Sequence, residues 1–111
     1  MMNGKRRRRS DRNHVIYRLI CEADGTCYIG ITNMRDRNPM KSVHVRWLQH
    51  LSRSRTEKKS WNLYRYLRKY KADRWKVEVL EVVRGKKQTH ERETFLIEKI
   101  KPYLNTRARN A

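Results

Sequence analysis

Asp24-Gly25 stands between two runs of β-branched and aromatic residues, "HVIYRLIC" at 14–21 and "TCYIGI" at 26–31. That dipeptide with those flanks is a strong signal for an antiparallel hairpin. Two strands joined so locally decide how the chain begins to fold. A two-residue loop sets Ala23 against Thr26, Cys21 against Tyr28, Leu19 against Gly30 and Tyr17 against Thr32. Tyr17, Leu19, Tyr28 and Gly30 then share one face, while Cys27 opposes Glu22 on the other, apart from Cys21. The assignment depends on loop length, because a slip of one residue turns a strand's side chains over. Gly30 needs a reason of its own: glycine weakens a strand interior and marks a bulge or a close approach by backbone or ligand.

A lone hairpin is marginal in water, so the rest of the chain must cover it. After an irregular segment around Asn38-Pro39, "VHVRWLQHL" has helical spacing, with Val43, Trp47 and Leu51 four apart and Leu48 beside them. Arg46 and His50 stack one turn apart along an edge of that stripe. The polar loop "SRSRTEKK" ends at Ser60, a candidate N-cap for the helix "WNLYRYLRKY". In that helix Leu63, Leu67 and Tyr70 face a core with Tyr66 flanking, and Arg65, Arg68 and Lys69 face outward. "RWKVEVLEVV" alternates as a third strand, and "THERETFLIEKI" at 89–100 is a further helix.

Charge narrows the partners. The 111 residues suffice for one compact domain and carry 29 Lys and Arg against 11 Asp and Glu, a formal net charge of +18. That excess exceeds what solubility needs and points to a polyanion. No stretch is apolar enough to span a membrane, which leaves nucleic acid ahead of a lipid surface. The run Lys5, Arg6, Arg7, Arg8 and Arg9 lies in "MMNGKRRRRSDRN", which has no apolar segment behind it and so reads as neither signal nor transit peptide. Residues 1–13 are expected to form a disordered basic arm that holds phosphates, and 107–111 a short basic tail. The expected location is cytoplasmic or nucleoid-associated. Cys21 and Cys27 are too few and wrongly spaced for a zinc site and are expected to be reduced thiols.

Glu93 is the acidic residue whose position demands a cause. On the 89–100 helix Leu96, Ile97 and Ile100 make the apolar face and Glu93 falls inside it, while Glu91 and Glu98 point away. A carboxylate turned toward a core is costly unless it is paired or holds a metal. An ion pair with one of the many arginines, or a carboxylate lifted out to the domain edge, satisfies the same pattern.

In this order the motifs resemble the GIY-YIG nuclease family. "VIY" at 15–17 stands for the first tripeptide, with Val15 in place of its Gly, and "YIG" at 28–30 is the second. "RWLQH" at 46–50 corresponds to the helix with an Arg and a His one turn on, "ERE" at 91–93 to the helix with the acidic residue, and "YLNT" at 103–106 to the Asn near the domain end. The resemblance covers about residues 14–106. It implies an α+β fold, a small three-stranded antiparallel sheet flanked by about three helices. It also implies a metal-dependent DNA endonuclease in which Glu93 holds one Mg²⁺ or Mn²⁺. Tyr17 would activate or orient the attacking water, with Tyr28 hydrogen-bonded beside it. Arg46 would neutralise phosphate charge, His50 would assist proton transfer or phosphate contact, and Asn105 would support the site's hydrogen bonds. Arg35 and Arg37 compete with Arg46 for the arginine role, which a helix edge suits better than a polar loop. Gly30, structural at the site, would leave room for phosphate and metal between the tyrosines. Tyr17 titrates near pH 10 when unperturbed, so Arg46 and the metal would have to lower it.

Double-stranded DNA is the expected partner, with RNA left open, and monomer and homodimer stay open alike. A free-standing phage or mobile-element nuclease of homing type is the expected role. The alternatives are a basic nucleic-acid-binding module without chemistry and a structure-specific repair nuclease that acts with a partner. Arg65, Arg68, Lys69 and the arm would supply affinity in each case, with specificity from the arm, the loops, a second copy or a partner.

Overall fold

The computed structural model describes residues 12–57 and 61–105. Its elements are β1 (Asn13–Cys21), β2 (Cys27–Asn33), α1 (Pro39–Thr56), α2 (Asn62–Lys69), β3 (Trp75–Arg84) and α3 (Lys86–Ile100), with 3-10 turns at Ala72–Arg74 and Tyr103–Asn105. The three strands form one antiparallel sheet in the order β2-β1-β3, so the class is α+β. The expected arm residues Lys5 to Arg9, the cap candidate Ser60 and the tail 107–111 lie outside the described residues; Asn13 already opens β1.

The hairpin forms with a longer loop than the sequence suggests. Cys21 N donates to Thr26 O at 2.8 Å, closing a loop at 22–25, and Gly25 takes φ +79°. The Asp24 carboxylate accepts from Thr26 N at 3.0 Å and Thr26 Oγ at 2.7 Å, and this side-chain turn draws Thr26 into the strand end. The pairing becomes Tyr17 with Gly30, Leu19 with Tyr28 and Ile20 with Cys27, in place of Leu19 with Gly30 and Tyr17 with Thr32. The displacement is two residues, so every side chain keeps its face. Cys21 and Cys27 are both free thiols.

One face of the sheet carries the main core. Val15, Tyr17, Leu19 and Cys21 of β1 and Trp75 of β3 pack with Val43 and Trp47 of α1, Leu63, Tyr64 and Leu67 of α2, and Leu104. A bulge in β3 between the partners of Ile16 and Tyr17 leaves Leu80 without an opposite number. It turns Val79 toward the core beside Tyr17 while Glu81 lines up with Ile16 on the other face. On that second face Ile16 and Ile29 are fully buried, and α3 lies across all three strands to cover them. Arg92 clamps Glu81 through Nε at 2.9 Å and Nη2 at 2.6 Å, and Thr89 Oγ donates to Gly85 O at 2.6 Å.

α1 and α3 run longer than their apolar spacing suggests, while α2 keeps within its expected stretch. Asn38-Pro39 is the start of α1: Asn38 Oδ1 accepts from Lys41 N at 3.0 Å and Pro39 takes the first helical position. The helix continues to Thr56 through most of the expected loop. α3 begins three residues early because Gly85, at φ +93°, turns the chain out of β3 into Lys86. Leu48 is not a core residue; it is 51% exposed, and His50 takes the inward position at 3%. At 100° per residue Leu48 lies past the edge of the stripe centred on Trp47, whereas His50 falls beside it.

Leu19→Ala is expected to cost about 2–5 kcal/mol of unfolding free energy, and Leu48→Ala less than about 0.5 kcal/mol, in urea denaturation.

Candidate active site

The centre of the candidate site is the phenol of Tyr17. It projects from the middle strand across its partner on the edge strand, and a Cβ on Gly30 would stand 2.5 Å from Tyr17 Oη, 2.6 Å from Cζ and 2.8 Å from Tyr28 Cε2. The close approach that glycine at 30 permits is therefore by Tyr17 itself. The expectation of room there for a phosphate and a metal does not hold, because the phenol fills the space.

α1 supplies the phenol's polar partner. His50 Nε2 lies 2.7 Å from Tyr17 Oη in a buried contact, and His50 Nδ1 is buried without a hydrogen-bond partner. Tyr28 and Tyr64 pack their rings edge-on against the imidazole at 5.5 and 6.3 Å between centroids. Burial, with help from Arg46 and Arg53, lowers the His50 pKa from 6.5 to about 3. The imidazole is thus neutral at pH 7. Burial also raises Tyr17, with Tyr28 adding to the shift and Arg46 opposing it. The expected lowering by Arg46 is outweighed, since removing a phenolate from water costs more than one nearby guanidinium returns. Tyr28 is raised as well, chiefly by burial, and its ring lies 6.3 Å from that of Tyr17.

Arg46, one turn before His50, brings its guanidinium beside both tyrosines. Nη1 donates to Gln49 Oε1 at 3.0 Å, and Nε is buried without a partner. Arg35 lies in the turn that Asn38 N closes onto Arg35 O, with Asp36 and Arg37 both at φ +52°. Arg46 is the arginine that acts on both phenols.

Glu93 comes from α3, close enough to act on both Tyr17 and Tyr28. Its side chain is 21% exposed, and its ion-pair partner among the described residues is His90, with Nδ1 3.7 Å from Oε1. Among the described residues no arginine lies within ion-pair distance of it, so a buried arginine pair within them is not the cause of its inward position. Burial raises its pKa, with His90 pulling the other way. Among the described residues no group of three or more His, Cys, Asp and Glu side chains is placed to share an ion. One half-buried carboxylate without a fixed cation suits a hard divalent ion that keeps most of its waters.

Asn105 stands at the edge of the site. Its Nδ2 donates to Ile29 O at 2.7 Å and its Oδ1 accepts from Ile29 N at 2.8 Å, as a neighbouring strand would. It holds the backbone between Tyr28 and Gly30. Tyr17, Tyr28, Arg46, His50 and Glu93 thus converge from β1, β2, α1 and α3, with Asn105 fixing the strand beneath them. Arg65 and Lys69 are exposed on α2, while Arg68 Nη1 donates to Ser54 O at 3.2 Å and ties α2 to α1.

The family model of the GIY-YIG catalytic domain matches residues 13–108. The chain belongs to the GIY-YIG family. No curated protein and no solved structure matches it. The GIY-YIG domain is a nuclease domain, so nuclease activity on nucleic acid is what membership carries. Divalent-metal dependence is general in the family. Among the described residues no helix is long and apolar enough to cross a membrane.

Sequence reasoning passed over three members of this candidate site. Tyr64 lies three residues before Leu67 and one after Leu63, a spacing that already puts it on the buried side of α2. Gln49 and His90, which hold Arg46 and face Glu93, carry no spacing signal beyond helical neighbourhood.

Two measurements check this geometry. In Gly30→Ala the new methyl displaces the Tyr17 phenol from His50, and cleavage is expected to fall on the order of 100-fold with nucleic-acid binding kept. Between pH 6.5 and about 3 the unfolded chain protonates His50 and the folded one does not. Stability therefore falls as pH drops through that window, by at most about 1.4 kcal/mol per unit. The comparison is best made from pH 6 to 4.5, above most carboxylate titration, where His50→Gln should flatten the slope seen in urea or thermal unfolding.

Proposed function

We propose that the protein is a metal-dependent DNA endonuclease that hydrolyses phosphodiester bonds at the Tyr17–His50–Glu93 site. The observation that carries this reading is the inward, half-buried Glu93 carboxylate beside two phenols, with no arginine among the described residues paired to it. A module that only bound nucleic acid would gain nothing from a carboxylate there, since it repels phosphate. Glu93 would hold Mg²⁺ or Mn²⁺, which when bound supplies Lewis-acid charge to the phosphate oxygens.

The chain's own groups would do the rest. Tyr17, kept protonated by burial, orients the attacking water through its hydroxyl oxygen and passes its own proton to His50 Nε2 as it takes one from the water. His50 is neutral at pH 7 and so has Nε2 open to the phenol's hydrogen. With its pKa lowered to about 3 it is a weak base, and the charge of Arg46 and of the bound metal would have to make the water acidic enough to lose its proton. Arg46, with Nε unpartnered, offers charge to the phosphate as it becomes more anionic. Tyr28 packs the imidazole, and Asn105 sets the position of Tyr28 and Gly30 through Ile29. Gln49 restrains Arg46.

Arg65, Arg68 and Lys69 on α2, with the basic run Lys5 to Arg9, would hold the phosphate backbone. Affinity should then fall with salt by about 0.9 in log K for each duplex phosphate neutralised. A phage or mobile-element enzyme is the role we favour for this strongly cationic domain, which has a formal net charge of +18.

Purified protein on supercoiled plasmid is expected to nick or linearise it with Mg²⁺ or Mn²⁺ and not with EDTA. Glu93→Ala should abolish cleavage and bind DNA as well as the parent protein or better. Loss of binding together with cleavage would overturn the assignment of Glu93. Equal DNA retardation by both proteins with no cleavage under any condition would favour the binding module.

A further inference from the structure

The roll of α3 decides which of its side chains reach the candidate site. Arg92 clamps Glu81 of β3 through two hydrogen bonds, and Thr89 is fully buried. At about 100° per residue His90 lies roughly 160° round the helix from Arg92, with Glu93 about 60° from His90. The edge opposite the β3 clamp therefore carries both. It is the edge toward the tyrosines, since Glu93 acts on Tyr17 and on Tyr28 of β2.

His90 Nδ1 stands 3.7 Å from Glu93 Oε1, and the two side chains are 57% and 21% exposed. That separation is too long for a hydrogen bond. It is close to the span of two donors on one ion, because ligands at about 2.1 Å lie roughly 3.0 Å apart at right angles and about 3.4 Å apart at the tetrahedral angle. A side-chain adjustment of less than about 1 Å makes the pair a chelate. Glutamate and histidine three apart on a helix are also the pair that carboxylate-bound metal centres in helical bundles aim at an ion. The imidazole, the more exposed of the two, stands where an ion enters, and the carboxylate lies further in beside the phenols. Among the described residues no third His, Cys, Asp or Glu joins them, which leaves the other coordination positions to water and phosphate.

We propose that His90 is the second protein ligand of the divalent ion that Glu93 holds. One nitrogen and one oxygen donor, in place of a carboxylate alone, give the site a preference for a first-row transition ion over Mg²⁺. Imidazole nitrogen is a good ligand for such ions, whereas Mg²⁺ takes oxygen donors and keeps its waters. The inference rests on the nuclease reading above and deepens it, adding the ligand that selects the ion.

Untagged, metal-free full-length protein would be titrated by isothermal calorimetry with Co²⁺ and, separately, with Mg²⁺, with no DNA present. His90→Ala and Glu93→Ala would be run beside it, with thermal unfolding to show that each is folded. The control is His44→Ala, which removes the other exposed histidine among the described residues. The parent protein should bind Co²⁺ at least about tenfold more tightly than Mg²⁺. His90→Ala should lose about tenfold in Co²⁺ affinity with Mg²⁺ affinity within about twofold, Glu93→Ala should lose both ions, and His44→Ala should lose neither. Unchanged Co²⁺ affinity in His90→Ala would overturn the proposal, as would an equal loss for both ions, the mark of an effect through charge or packing. Either result leaves Glu93 and the nuclease reading standing. Co²⁺ bound as tightly by Glu93→Ala as by the parent protein, or uptake of neither ion by the parent, would overturn the proposal as well. Plasmid cleavage, measured separately, still judges the nuclease reading in that event.

Discussion

The site depends on one cross-strand pair. Tyr17 on the central strand faces Gly30 on the edge strand, and only the missing side chain at 30 lets the phenol lie across the sheet to meet His50 at 2.7 Å. Any Cβ there would stand in the phenol's own volume. The β3 bulge at Leu80 lies beside the same residue, so β1 has a bulge on one side and a strand without a side chain on the other where Tyr17 leaves it. Irregularities of this kind re-aim a side chain at a cost in ladder hydrogen bonds.

Burial sets the proton inventory. The environment that packs Tyr17 and His50 into the core keeps the phenol protonated and the imidazole neutral. In these states neither group places a charge in the interior. Arg46 opposes the shift on the phenol and reinforces that on the imidazole. Glu93, on the opposite layer, stays half exposed, where a carboxylate costs less to ionise.

Each layer has its own part. α1 and the main core position Arg46 and His50 above the sheet, α3 on the second face brings Glu93 toward the same edge, and the turn at Tyr103–Asn105 closes that edge by pairing with Ile29. Arg92–Glu81 and Thr89 hold α3 in register with β3, and Arg68 holds α2 to the end of α1. Some of the positive charge thus serves the scaffold, and Arg65 and Lys69 remain exposed for a ligand.

Local order was written in the chain itself. The hairpin, the third strand, the helix stripes and the inward place of Glu93 follow from spacing, because strand and helix periods are properties of neighbouring residues. The faces of Tyr17, Tyr28 and Gly30 survived an error in loop length, since a displacement of two residues preserves them. Helix ends were harder to read: Asn38-Pro39 and Gly85 mark starts through caps, not through apolar spacing. Contacts between elements were not legible at all. Nothing in the spacing said that Tyr17 would fill the space over Gly30, that Tyr64 would pack on the imidazole, or that Asn105 would bind strand backbone. Those outcomes depend on which faces the packed layers bring together and on the low polarity between them, and that is decided only when residues distant in sequence close on one another.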